Sequence, residues 1–337
     1  MNSTGRIFRI SLFGESHGVA IGVTIDGCPP GVPLSAGDFA ADLGRRRPGR
    51  AGTTPRVEED LPEIVSGHFN GHTTGAPLTI MFRNKNIKPG DYDALKRTPR
   101  PGHSDFVAWK RFGGFNDHRG GGHFSGRLTL CLVAAGVVAK KLLEGIDIAA
   151  RLFSAGGDED IDRAVKAAME AGDSVGGIVE CRTTGIPVGW GEPFFDSVES
   201  VIAHMAFAIP AIKGVEFGSG FTAASMRGSS HNDPIVDETG RTATNNAGGI
   251  SGGLTNGNEL VFRIAVKPTS SISVGQSTYS IESGKIEELK VKGRHDACIA
   301  LRVPVVLEAI TAVALADLKM MAESRPPQKI VINNGAK

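Results

Sequence analysis

Apolar and polar positions alternate over residues 7–13, and a second apolar run fills residues 19–26, so the chain is expected to open with two strands joined by a turn. A Gly-Cys-Pro-Pro-Gly turn at residues 27–31 leads into a helix. Ser35 and Asp38 have capping-box spacing ahead of Phe39, Ala40, Ala41 and Leu43, and Arg45, Arg46 and Arg47 close the helix before Pro48 and Gly49. Residues 61–65 and 78–82 read as strands, and the polar, Pro- and Gly-containing stretch 84–100 is long enough to form a lid or a site wall.

Further on, residues 125–143 read as an apolar helix and 159–171 as an amphipathic helix ended by Gly172. A strand is expected over 175–181, and then a helix to about residue 209, capped by Asp196 and Glu199, with His204 in a structural position. A strand over 260–266 ends at Lys267, and the last helix starts at Pro304 and runs to about residue 322. Strands and helices mix without regular βαβ alternation, and no linker or charge block divides the chain. The expected fold is therefore α+β, a single domain over residues 1–337. Residues 21–43 and 178–205 share the order apolar strand, Gly-x-Pro turn and capped helix, a hint of two similar halves.

Composition narrows the function. With 337 residues, 40% of them hydrophobic, the chain can bury a full core. Its 45 glycines are nearly twice the ordinary share of about 7% and follow no period, so they belong to turns and close approaches. A net charge of +1 supplies no global field for nucleic acid or a membrane surface, and 2 Trp and 2 Tyr offer little stacking area. The longest apolar run noted, residues 128–139, is short of the ~20 residues a bilayer span needs and reads as a buried helix. Cys28, Cys131, Cys181 and Cys298 show no metal-finger spacing and no secretory segment opens the chain, so reduced thiols in a cytoplasm are expected.

The candidate chemistry lies in four loops where histidine sits among glycine and arginine. These are Gly14-Glu15-Ser16-His17-Gly18, Arg100-Pro101-Gly102-His103, His118-Arg119-Gly120-Gly121-Gly122-His123 and Gly293-Arg294-His295-Asp296. Glycine lets backbone approach an anion, arginine offers a planar fork to phosphate or carboxylate, and histidine exchanges protons near neutral pH. The loops imply an acidic substrate and a proton-transfer step. Helix N–H groups behind the glycine triplet would suit the same anion. Arg45, Arg46 and Arg47 are open to two readings, helix C-terminal charge complementation or phosphate binding. No G-x-G-x-x-G follows a strand and no Walker loop is present, and the histidines lack ligand spacing, so no metal is expected.

With the Asp26-Gly27-x-Pro-Pro-Gly turn, the Arg45-Arg46-Arg47-Pro48-Gly49 run, Lys213-Gly214-Val215-Glu216 and Lys267-Pro268-Thr269-Ser270-Ser271, these loops stand in the order seen in chorismate synthases, and the chain resembles that family over roughly residues 5–320. The resemblance implies a 1,4-anti elimination of phosphate from 5-enolpyruvylshikimate 3-phosphate to give chorismate. It also implies reduced FMN without net redox change, a sandwich of helices between antiparallel sheets, and a homotetramer. By resemblance His17, His103 and Asp296 are catalytic, and Arg46, Arg50, Arg100 and Arg127 bind substrate. FMN would contact His123, Phe124, Ser125, Pro210, Ala211, Gly252, Lys267, Pro268, Thr269, Ser270, Ser271 and Arg294. Leu128, Pro210 and Ala297 depart from the residues common in the family. An inactive FMN-binding relative and a nucleotide- or RNA-binding module are the alternatives. Reliance on an external flavin reductant, not on NADPH turned over by this chain, is expected from the missing dinucleotide motif.

Overall fold

The computed structural model describes residues 2–54, 58–85, 98–291 and 295–326. Two antiparallel sheets enclose a helical layer. The first contains β1 (Ser3–Thr4), β2 (Arg9–Gly14), β3 (Ala20–Asp26), β4 (Glu63–Ser66) and β5 (Leu78–Arg83), in the order β1-β2-β3-β5-β4. The second contains β6 (Asp147–Ala155), β7 (Gly177–Thr184), β8 (Ile212–Phe217) and β9 (Leu260–Val266), in the order β8-β9-β7-β6. Alternation sets the inner faces: Ile21, Val23 and Ile25 of β3, Leu78, Ile80 and Phe82 of β5, and Leu260, Phe262, Ile264 and Val266 of β9 are all buried.

Between the sheets lie α1 (Ala40–Arg46), α3 (Thr129–Lys140), α5 (Val198–Ala206) and α6 (Val303–Ser324), with α2 (Asp105–Phe112) and the amphipathic α4 (Ile161–Ala171) also present. Helix α3 packs on β3 and β5, α6 packs on β6 and β7, and the two helices pack on each other. Their approach is close. A Cβ added to Gly136 of α3 would lie 2.4 Å from Ala309 Cβ and 2.5 Å from Ala309 Cα of α6. Such helices are apolar on every side, and segments Arg119–Lys140 and Ile299–Ser324 are long and apolar enough to cross a bilayer. Length therefore fails to separate them from membrane spans, but 78% of each window is buried within the protein, which marks core helices.

Two carboxylates buried on α6 bind the layers together. Asp317 accepts the backbone N–H groups of Arg6, Ile7 and Phe8 at 2.7–2.8 Å, which anchors the entry to β2. Glu308 pairs with both terminal nitrogens of Arg45 at 2.6 Å and accepts the Ala150 N–H at 3.0 Å, linking α1 and β6 to the central helix. Each carboxylate is satisfied by several donors, as burial of a charge demands.

The predicted helix over 159–171 ends as expected, with Gly172 left-handed at φ 65°. One cap differs: Ser197, not Asp196 or Glu199, caps α5 by accepting the Ser200 N–H at 3.1 Å, while Asp196 pairs with Arg6 at 3.0 Å. His204 is exposed on α5. The expected lid at 84–100 falls largely outside the described residues.

Gly136→Val pushes a side chain into Ala309 backbone, so a loss of about 1–3 kcal/mol or more is expected. Gly44 sits inside α1 with open space around its missing Cβ, and Gly44→Ala should be neutral or add about 0.5–1 kcal/mol. Urea unfolding midpoints of the two variants check the contrast; equal midpoints would contradict it.

Candidate active site

A cavity of about 680 Å³ opens where loops from both halves of the sandwich converge. Its wall takes Arg46 and Pro48 from the end of α1, and Gly102, His103 and Ser104 from the loop before α2. The segment before α3 supplies Gly120 and His123 through Arg127. Residues 208–211 after α5, 267–271 after β9, and Asp296 with Arg302 before α6 complete it. The described lining carries four cations, Arg46, Arg127, Lys267 and Arg302, against three carboxylates, Glu58, Asp60 and Asp296. It favours an anionic ligand.

The arginine triplet divides its work. Arg45 turns to Glu308, and Arg47 donates to the Glu59 carbonyl. Arg46 is buried at the cavity, donating from Nε to Thr129 Oγ1 at 2.9 Å and from Nη2 to the Gly126 carbonyl at 3.1 Å. Burial, reinforced by the positive charges of Arg302 and Arg127, pushes the Arg46 pKa down to about 9 despite the carboxylate of Asp60. The side chain stays cationic at pH 7, but its charge is poorly compensated, and an incoming anion relieves that.

Asp60 serves two guanidinium groups, standing 3.7 Å from Arg46 Nη1 and accepting from Arg127 Nη1 at 2.9 Å. Its backbone has φ 49°, a conformation uncommon for a residue with a side chain, found where the surroundings hold it. Arg127 also donates from Nε to Asn84 Oδ1 at 2.6 Å. Its remaining nitrogen, Nη2, is buried with no partner among the described residues. A buried, uncompensated N–H group of this kind costs about 1–3 kcal/mol unless something accepts it. The Thr269 hydroxyl, also in the lining, is likewise buried with no hydrogen-bond partner among the described residues.

His103 stands in a second ion pair. Asp105 Oδ2 accepts from Arg100 Nε at 2.7 Å and Oδ1 from Arg100 Nη2 at 2.8 Å, while His103 Nδ1 lies 2.6 Å from Oδ1. Burial alone would raise the Asp105 pKa, but hydrogen bonds from Arg100 and His103 hold it well below the usual carboxylate range. Arg100 Nη2 also lies 3.1 Å from His103 Nδ1. The shorter contact to an ionised oxygen sets the tautomer: Nδ1 carries the proton, and Nε2 is left for exchange. Arg100 Nη1 donates to Ser271 Oγ at 2.9 Å, Ser270 Oγ donates to the Gly102 carbonyl at 2.8 Å, and Lys267 Nζ donates to Ser270 Oγ at 2.8 Å. The loop after β9 is thus tied to the His103 loop.

His17 lies one layer behind the cavity wall. It is buried in the turn between β2 and β3, where the Ser16 N–H donates to the Gly122 carbonyl at 3.1 Å. Its ring lies against Gly120, where a Cβ would come within 2.2 Å of His17 Cε1 and Nδ1; with φ 59° as well, only glycine fits. His123 Nδ1 donates to the Gly14 carbonyl at 2.7 Å, which leaves its Nε2 unprotonated in the neutral ring. Asp296 Oδ1 accepts the Thr54 N–H at 2.9 Å and faces Arg302 Nη1 at 3.7 Å. Ala211 has φ 77°, and its carbonyl accepts the Lys267 N–H at 2.9 Å.

Among the residues expected from the sequence, His103, Asp296, His123, Phe124, Ser125, Pro210, Ala211, Lys267, Pro268, Thr269, Ser270, Ser271, Arg46 and Arg127 line the cavity. His17 and Arg100 stand behind it. Arg50 is exposed and pairs with Asp162 at 2.8 Å, and Gly252 lies in the hairpin between Ile250–Ser251 and Leu254–Thr255; neither is part of the lining. Arg294 lies outside the described residues. The sequence reading missed Asp60 and Arg302, which lie in segments without a motif of their own, and placed Asn84 only at the start of the 84–100 stretch read as a lid or site wall. It also gave no role to Asp105, although that residue directly follows the His103 motif.

Comparisons with known proteins agree on one family. Residues 8–320 match the family model for chorismate synthase. A chorismate synthase of Chitinophaga pinensis is 62% identical over 324 residues, covering 96% of this chain and 98% of that protein. One from Korarchaeum cryptofilum is 45% identical, covering 93% and 96%. A solved structure described as a crystal structure of chorismate synthase superimposes with a TM-score of 0.72 at 26% identity, covering 95% of this chain and 93% of that one.

The Asp105 carboxylate has a folded-state pKa below its unfolded value of ~3.9, so its contribution to stability is full above about pH 4 and is lost as pH falls toward the folded value. Asp105→Asn removes that part of the acid dependence. Unfolding midpoints followed from pH 7 downward should fall more steeply below pH ~4 in the wild type than in the variant, and parallel curves would refute the assignment.

Proposed function

The chain belongs to the chorismate synthase family and is a lyase of the shikimate pathway, and from that premise we propose that its cavity holds reduced FMN beside 5-enolpyruvylshikimate 3-phosphate, with His17, His103 and Asp296 handling the protons. The observation that carries this reading is the unpartnered, buried Arg127 Nη2 beside the undercompensated Arg46. Such a pair suits the phosphate or carboxylate of a polyanionic substrate. The unpartnered Thr269 hydroxyl, Lys267 and the excess of cations in the lining fit an anionic cofactor in the same space. A cavity of this volume is in the range of small-molecule sites.

His123, Phe124, Ser125, Pro210, Ala211 and residues 267–271 would hold the flavin. When bound, reduced flavin supplies an electron-rich centre beside the breaking C–O bond without net oxidation. The elimination breaks that C–O bond, removes one C–H proton and leaves a new double bond, so the protein must manage phosphate charge and one proton. Arg46 and Arg127 stabilise the charge that develops on the departing phosphate. His17, behind Gly120, supplies a proton on that side. His103, whose Nδ1 is fixed by Asp105, would balance the charge of the anionic cofactor through Nε2, and the Asp296 carboxylate would receive the one proton leaving the substrate. Arg100, with its guanidinium spent on Asp105 and Ser271, holds His103 and the loop after β9 in place. The same reading extends to a homotetramer in the cytoplasm served by an external flavin reductant. The family membership favours turnover over an inactive relative or an RNA-binding module.

Anaerobic assay with photoreduced FMN and 5-enolpyruvylshikimate 3-phosphate should show chorismate formed by the wild type. In His17→Ala and His103→Ala turnover should fall by a factor of ~10² or more. Binding of both ligands without chorismate would contradict the proposed function, and undiminished turnover in either variant would remove that histidine from the chemistry.

A further inference from the structure

Asn84, the first residue beyond β5, bonds to two parts of the site at once. Its Oδ1 accepts from Arg127 Nε at 2.6 Å, and its Nδ2 donates to the Glu15 carbonyl at 3.0 Å and the Gly18 carbonyl at 2.8 Å. The amide orientation follows from its partners, since a guanidinium N–H only donates and a backbone carbonyl only accepts. Its own N–H donates to the Val19 carbonyl at 3.1 Å, which holds the backbone against the same turn. The two ends serve different groups. On one side, Asn84 and Asp60 occupy Nε and Nη1 of Arg127, so the guanidinium is turned with Nη2 as its unpartnered nitrogen. On the other, it clasps both ends of the Glu15–Gly18 turn, which is also closed by the Gly18 N–H donating to the Glu15 carbonyl at 3.1 Å and which carries His17.

We infer that Asn84 is a positioning residue that couples the anion-holding Arg127 to the proton-supplying His17, so that the phosphate and its proton donor are set by one amide. The inference rests on the roles given to these two residues under Proposed function. His103 is braced separately, by Asp105 and Arg100. Coupling should therefore reach His17 and Arg127 and spare His103.

The test is a set of double-mutant cycles on the full chain, reading kcat with photoreduced FMN and, separately, the FMN Kd. Asn84→Ala should lower kcat by about tenfold to a hundredfold, with the flavin Kd within about twofold of wild type. The same substitution should cost much less in His17→Ala or Arg127→Met backgrounds and its full factor in His103→Ala. Should Asn84→Ala fail to fold, the isostere Asn84→Asp keeps an acceptor for Arg127 but loses both donors to the turn. It should then be non-additive with His17→Ala. An equal factor in all backgrounds, or a flavin affinity that falls in step with kcat, would overturn the coupling. Wild-type turnover in both His17→Ala and Arg127→Met would instead overturn the functional reading beneath it.

Discussion

The contact of α3 with α6 at Gly136 and Ala309 is the constraint on which the molecule depends. Both helices begin at the cavity, where Thr129 of the first and Val303 and Val306 of the second line the wall, and they meet about two turns in. Their separation therefore sets the spacing of the segments that lead into them, residues 120–127 on one side and Asp296–Arg302 on the other. Each N-terminus also brings the positive end of a helix dipole toward the cavity. The sheets outside cover the apolar flanks of this pair, and Asp317 and Glu308 tie α6 to the chain entry, α1 and β6. A methyl group at residue 136 would act on the site from a distance, through helix separation.

On that frame the site stores an unbalanced charge. Asp60 is shared by Arg46 and Arg127, and Arg302 adds a further cation whose nearest carboxylate, Asp296, stands 3.7 Å away. Holding Arg46 there lowers its proton affinity, and leaving Arg127 Nη2 without an acceptor adds a desolvation cost. Both penalties are relieved when an anion enters, so part of the protein's stability is exchanged for ligand affinity. The second ion pair, Arg100 with Asp105, is closed on itself. It holds the Nδ1 side of His103 and anchors Ser271, so the arginine–carboxylate group behind the cavity wall differs in its contacts from the one that lines it.

The sequence made the architecture readable where period and punctuation agreed. Residues 260–266, Leu-Val-Phe-Arg-Ile-Ala-Val, form an apolar run of strand length, and the strand has those bounds; Asp38 accepts the Ser35 N–H at 2.7 Å, as capping-box spacing implies. Strands β6 and β8 went unread, because Ala and Arg in the first and Lys, Gly and Glu in the second blur alternation, and long-range pairing overrides weak propensity. Three of the four histidine–glycine loops place residues on the cavity wall. The sequence could not separate Arg45 from Arg46, adjacent residues that α1 sends to opposite tasks. Nor could it give a role to Asp60 or Asn84, whose importance comes only from partners distant in the chain. Arg100, expected to bind substrate, stands behind the cavity wall with its donors on Asp105 and Ser271, which its sequence neighbourhood did not reveal.

The unpartnered guanidinium edge of Arg127 can be probed by the structure of the protein with reduced FMN and a non-reactive analogue of 5-enolpyruvylshikimate 3-phosphate. An anionic oxygen of the analogue is expected within about 2.7–3.2 Å of Arg127 Nη2, with Asn84 and Asp60 still bound to the other two nitrogens. An analogue seated elsewhere, or an Arg127 that abandons Asp60 to reach it, would contradict the claim that the fold prepares this edge for the substrate.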